Sequence, residues 1–254
     1  LSVRDLWDMW IVSMLRSHVK EATDAMEECR TREAIHHVIY LLLNEVEEYL
    51  DVKGADVNGP LMKFLISIWA RLLSPFAPHL AEEVWETIEE EGFVSTAPWP
   101  SYDEVPEYRE AEIAYKVISN IVDDVKNVTS VNISGSRLYI YIASSWKYDL
   151  FKRVEELKVE LGLDPRKIVP ELLKESRFRE RANSVYEIVK QLASGGWPWL
   201  PEKELEKRVV ESSKEYLRRK LGMEVIVDDE DDPSYDPKRR AGRALPGRPA
   251  IYLE

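Results

Sequence analysis

The stretch "LSPFAPHLAEEVWE" (73–86) sets two prolines three positions apart between two runs of helical periodicity. Pro75 has no amide hydrogen and its ring crowds the preceding turn, so a helix arriving from upstream has to end near Leu73. Pro78 suits the first position of a new helix, where an amide hydrogen would find no partner anyway. Beyond it Leu80, Val84 and Ile88 share one face with Trp85 beside them. Glu82 and Glu83 are expected in or near the first turn, at the positive end of the helix dipole. The stretch therefore predicts a helix stop and restart, an αα corner. His79 reads as a polar surface or capping group.

The residues upstream are helical as well. Leu6, Trp7, Trp10, Met14 and Val19 recur at helical spacing. Thr31 is the expected N-cap of a second helix whose stripe is Ile35, Val38, Ile39, Leu42, Leu43, Val46 and Leu50. Loop chemistry fills "DVKGADVNGP" (51–60), and Pro60 opens a third helix with Leu61, Phe64, Leu65, Ile68, Trp69 and Leu72 on one face. After the Pro-rich connection 92–108 the pattern changes. Helices are predicted at about 110–128, 145–161, 163–173 (capped by Asp164), 176–193 and 202–221, the last closed by Gly222. Between them lie a turn at 134–137 and strands at "LYIYIA" (138–143), "MEVIV" (223–227) and "PAIYL" (249–253). The fold class is mainly α, a helical bundle over 1–108 followed by a small α/β domain over 109–254.

Of the 254 residues 44% are hydrophobic and 32% charged, the balance of a folded globular chain. The most apolar run, Leu61 to Leu73, is interrupted by Lys63, Ser67 and Arg71, so no membrane span is expected. The opening "LSVRDLWDMW" has no basic region or small-residue cleavage site, so no secretory signal is expected. Cys29 is the only cysteine, which excludes an internal disulfide and makes the cytoplasm the expected compartment. One glutamine, Gln191, among abundant Glu, Lys and Arg is the bias of heat-adapted proteins.

The net charge of −12 is unevenly spread. Residues 1–100 carry 8 basic against 18 acidic side chains, and residues 101–254 carry 27 against 29. A polyanion would therefore be gripped by the second half. Nucleotide-binding and hydrolase glycine motifs are absent, and paired acids such as Glu47/Glu48 and Glu82/Glu83 are ordinary solvated helix faces. His36 and His37 are adjacent and diverge on a helix, so neither a metal site nor a catalytic centre is expected.

The segment "VDDEDDPSYDPKRRAGRALPGRPAIYLE" (227–254) has two readings. In one, Asp228 to Asp232 form a solvated hairpin tip screened by a basic loop. In the other, Lys238, Arg239, Arg240, Arg243 and Arg248 contact phosphates, while Tyr235 and Tyr252 stack on unpaired bases.

"LSPFAPHLAEEVWE" followed by "APWPSYDE" resembles the helical anticodon-binding-type domain of class I aminoacyl-tRNA synthetases for leucine, isoleucine and valine. "VKEATDAMEECRTREAIHHVIYLLLNEVEEYL" (19–50), "LYIYIASSWKYDLF" and "RALPGRPAIYLE" resemble the archaeal-type leucyl-tRNA synthetases. That resemblance implies the C-terminal part of a ligase that attaches leucine to tRNA(Leu). Its terminal domain would meet the long variable arm through Leu253 and Glu254, with the basic loop on the backbone. The H-x-G-H and KMSKS-type motifs are missing, so this chain alone is not expected to aminoacylate. No cofactor is expected in this chain; ATP and magnesium belong to the parent enzyme. Expected partners are tRNA(Leu) and a catalytic portion, in the same parent chain or in a separate subunit. Two other readings stay open: the matching region of a valyl or isoleucyl enzyme, and a helical module that docks synthetase subunits without touching RNA.

Overall fold

The computed structural model describes residues 2–130 and 135–254. It packs as two compact units, Leu1–Tyr115 and Lys116–Glu254. The first contains α1 (Leu6–Glu27), α2 (Thr31–Ile35), α3 (Leu42–Lys53), α4 (Gly59–Leu73) and α5 (Pro78–Thr87). The division falls within α6 (Arg109–Thr129), whereas the sequence places it at that helix's start.

The proline corner forms as the sequence demands: α4 ends at Leu73 and α5 begins at Pro78. Two details differ. No acid occupies the first turn of α5; Glu82 lies further along and accepts the amide hydrogens of Val94 and Ser95 at 2.9 and 3.1 Å. The Ser95 side chain first, and those amide bonds after it, hold its carboxyl below the usual carboxylate range. The face that α5 buries carries Ala81 and Trp85, while Leu80 is exposed.

The second helix also departs from expectation. The turn after α1 places Cys29 at φ 58°, and the Arg30 amide donates to Ala25 O at 2.7 Å. This closing turn takes up residues 28–30, so Thr31 is the first helical residue and caps nothing. A π turn over His36–Leu41, in which the Leu42 amide reaches back five residues to His37 O, then joins α2 to α3. The extra residue rotates the stripe, so Tyr49 and Lys53 are buried and Leu50 is exposed.

A polar knot ties the start of α1 to α3 and α4. The buried Asp8 carboxylate accepts from Tyr49 Oη at 2.7 Å and Asn58 Nδ2 at 2.6 Å, with Lys53 Nζ 3.0 Å away. Asp5 caps α1 and also receives Lys53 at 2.5 Å.

In the second unit β1 (Arg137–Ile142) lies between β2 (Glu224–Asp229) and β3 (Ala250–Leu253). β2 runs parallel to β1 and β3 antiparallel. The strands on either side of the acid run flank β1 instead of pairing with each other, so the acidic hairpin shrinks to a tight turn closed by an antiparallel bridge between Asp229 and Asp232. Between β1 and β2 come α7 (Ser145–Leu161), α8 (Pro165–Leu172), α9 (Ser176–Arg179), α10 (Ala182–Ser194), α11 (Lys203–Ser212) and α12 (Lys214–Leu221). Two predicted helices are thus each broken in two, one before Ala182 and one at Ser213. Asp164 caps α8 by accepting from the Arg166 amide, and Gly222 closes α12 in the left-handed conformation at φ 68°. Leu150, Phe151 and Val154 of α7 pack with Ile168 and Leu172 of α8 and with Val185 and Val189 of α10. The turn expected over 134–137 begins at Ser134, outside the described residues. Among the described residues no helix is long and apolar enough to cross a membrane.

His18 and His37 face each other at the π turn with 3.0 Å between Nδ1 atoms, and Glu45 takes the other nitrogen of His18 at 2.9 Å. Burial first, and His18 second, lower the pKa of His37 from 6.5, against opposing pulls from Glu21 and Glu33. A depressed folded value means that the unfolded chain takes up the proton first on acidification. The stabilisation is complete above pH 6.5 and is lost as pH falls through the folded value. Thermal unfolding between pH 7.5 and 5 should therefore show a smaller acid loss for His37→Gln than for the unsubstituted chain. Equal losses would contradict this.

Candidate nucleic-acid interface

The basic loop is a shaped object. Asp236 accepts the amide hydrogens of Arg240 and Ala241 at 2.7 and 2.9 Å and closes its first turn. A single 3₁₀ turn, Ala241–Arg243, follows. The sequence Leu245-Pro246-Gly247-Arg248 then makes a tight reversal in which Leu245 and Arg248 exchange both backbone bonds, at 3.0 and 2.8 Å. Proline in its second place and Gly247 at φ 75° in its third are the residues a type II turn requires. Glu206 accepts the Gly247 amide at 2.8 Å, and Trp197 Nε1 donates to Pro246 O at 2.8 Å. Burial pushes the Glu206 carboxyl up to about 7.

The acid run before this loop is largely tied down, with Asp231 and Asp232 exposed at its turn. Asp228 accepts from the Ser234 amide and hydroxyl at 2.9 and 2.6 Å. Asp229 pairs with Lys207 at 2.8 Å and Lys203 at 3.1 Å. Burial works against its ionisation, but those two lysines outweigh it and hold the carboxyl low. Glu230 meets Lys147, and Asp231 accepts from the Ser144 hydroxyl at 2.5 Å. These acids are engaged by their own unit and leave the basic loop unneutralised.

Lys238, Arg239, Arg240 and Arg243 are all exposed. Among the described residues their charged groups enter no ion pair. Lys238 Nζ stands 5.8 Å from the centre of the Tyr252 ring. Arg248 is drawn to Trp197 instead, with its guanidinium 4.9 Å over the indole. Tyr139, Tyr235 and Tyr252 form a triangle with ring centres 5.3, 6.0 and 6.3 Å apart. Tyr235 is the most open of the three at 39% exposure. Tyr141 Oη donates to Tyr235 O at 2.5 Å and fixes that residue's backbone.

The last strand completes the site. Arg137 and Glu254 exchange backbone bonds at 3.0 and 3.1 Å. Tyr139 and Tyr252, two residues further in, are hydrogen-bonded partners of the same kind, so Ile251 and Leu253 turn their amides and carbonyls away from β1. β3 is an edge strand, and Lys238 and Arg240 line a small cleft along it with Val128, Ile251, Tyr252 and Leu253. The Leu253 side chain is buried. The Glu254 carboxylate accepts from Tyr139 Oη at 3.2 Å and Arg137 Nη1 at 3.4 Å. The structure thus brings together Tyr235, Lys238, Arg240 and Tyr252, and places the Arg248 guanidinium over Trp197. Sequence reading passed over Tyr139, which looked like strand core, and Asp236, whose place four residues before Arg240 is a turn signal in hindsight.

A family model described as the anticodon-binding domain of tRNA ligase matches residues 8–142. The chain belongs to that family. The basic loop lies beyond the matched span, within the reach of full-length relatives. The leucine–tRNA ligase of Methanothermobacter thermautotrophicus is 30% identical over 96% of this chain and 26% of that protein. That of Pyrococcus furiosus is 33% identical over 97% of this chain and 25% of its own length. That of Methanosarcina mazei is 32% identical over 97% and 26%. This member of the tRNA-ligase family thus spans about a quarter of the length of the relatives it matches.

A Cβ on Gly247 would lie 2.6 Å from Pro198 O and 3.0 Å from Trp199 Cα, in a conformation that L residues avoid. Gly247→Ala should cost on the order of 2–3 kcal/mol in denaturant unfolding. An unchanged midpoint would show that the turn is not held in this form.

Proposed function

We propose that this chain is a tRNA-binding part of a leucine–tRNA ligase, acting through the second unit. One observation carries the reading: a loop of unpaired cations sits beside the exposed Tyr235, the half-buried Tyr252 and an open strand edge, in a chain whose relatives are named leucine–tRNA ligases. Lys238, Arg239, Arg240 and Arg243 are suited to phosphates, the arginines through bidentate bonds. Tyr235 and Tyr252 are suited to stacking on unpaired bases. Arg248 braces the turn through Trp197, and Leu253 and Glu254 frame the strand edge that the RNA approaches. The matched relatives favour leucine over valine or isoleucine.

In this reading ATP and magnesium serve amino-acid activation in a catalytic portion, joined in the parent chain or supplied as a subunit. This chain contributes grip and orientation. The first unit, with its acidic balance, is a scaffold more than an RNA surface.

Binding to leucine tRNA, with and without its long variable arm, tests the proposal. The intact RNA should bind more tightly, and equal affinities or no binding would contradict it. Arg240→Ala with Arg243→Ala should weaken binding and reduce the salt slope by about one unit per lost phosphate contact. An unchanged slope would remove the loop from the interface.

A further inference from the structure

Lys147 lies on α7 beneath the basic loop and is only 3% exposed. Its ammonium has three hydrogens, and three acceptors meet them. Glu230 Oε1 is at 2.8 Å, Gly242 O at 3.0 Å and Ala244 O at 2.7 Å. No donor is left over, so Lys147 has nothing to offer a ligand directly. The two carbonyls belong to the residues on either side of Arg243. The Ala241 and Ala244 side chains are buried against Tyr139, Tyr141 and Tyr148, while Gly242 and Arg243 are exposed. The other oxygen of Glu230 accepts the Ser144 amide at 2.8 Å, which fixes the carboxylate at the end of β1. A buried cation therefore joins the acid run to the basic loop.

The loop needs such a tether. Lys238, Arg239, Arg240 and Arg243 repel one another, and no acid within the described residues pairs with their charged groups. Their outward display has to be imposed through the backbone. Asp236 does this at the front of the loop and Glu206 at the back. Lys147 does it in the middle, pulling two carbonyls inward so that Arg243 faces outward.

We propose that Lys147, locked by Glu230, is a positioning residue for RNA binding: it never touches the RNA, yet sets the geometry in which Arg240 and Arg243 meet phosphates. This rests on the reading of the loop as an RNA-binding surface. Removing the ammonium leaves two carbonyls unsatisfied and a carboxylate short of its cation, and the loop has to relax to rehydrate them.

The test compares Lys147→Met and Glu230→Gln with Lys152→Met, which removes an exposed lysine from the same helix. Two readouts are taken: affinity for leucine tRNA as a function of salt, and amide hydrogen exchange of residues 238–248 in the free chain. Lys147→Met should weaken binding about tenfold, lower the salt slope by about one to two units and speed exchange in the loop. Lys152→Met should change affinity less than about twofold and leave loop exchange alone. Glu230→Gln should follow Lys147→Met in direction with a smaller effect.

A folded Lys147→Met that matches Lys152→Met in affinity and slope overturns the proposal. Should Lys147→Met fail to fold, Glu230→Gln decides: a lowered slope with faster loop exchange supports the proposal, and unchanged values overturn it. If the unsubstituted chain binds no RNA, the RNA reading itself fails. Loop exchange unchanged in Lys147→Met would then also remove the tether.

Discussion

Strand β1 is buried along nearly its whole length, and the second unit is arranged around that requirement. Its residues Leu138, Ile140 and Ile142 point to one face and Tyr139 and Tyr141 to the other, so neither face is left to water. A central strand with two apolar faces needs a partner on each edge and a layer on each side. β2 and β3 supply the edges. The basic loop, through Ala241 and Ala244, supplies cover on the tyrosine side. The basic loop is thus the outer surface of a layer whose inner surface belongs to the core, which gives an exposed, highly charged segment a defined shape.

The same constraint explains how an acidic chain comes to carry a basic surface. Overall charge works against binding a polyanion, but at an interface the local balance decides. Asp228, Asp229, Glu230 and Asp231 sit next to the arginines in sequence yet are engaged by Ser234, Lys203, Lys207, Lys147 and Ser144. Each such bond removes an acid from competition for the arginines. The acid run thereby anchors the surface and leaves it uncompensated.

Much of this was legible in the residues. The proline corner, the cap at Asp164, the left-handed stop at Gly222 and the three strands all follow from local chemistry, and local chemistry won. What was not legible depended on partners remote in sequence. Helical periodicity alone cannot announce the π turn that moves Leu50 to the surface, nor the break at Ser213 within a continuous helical pattern. The engagement of the acid run could not be read because its lysines lie far upstream. The pairing of β3 with β1, which seats Leu253 and engages Glu254, is likewise invisible from the terminal residues themselves. Within the candidate site the charges and aromatics could be named in advance, while the tether of Lys147 appears only once strand and loop are side by side.

Chemical footprinting of lysines and arginines in the free chain and in its complex with leucine tRNA tests the central claim most directly. If the basic loop is the RNA-binding surface, Lys238, Arg240 and Arg243 become protected, while Lys190 on α10 stays as reactive as before. A complex that forms with all three still fully reactive would contradict it.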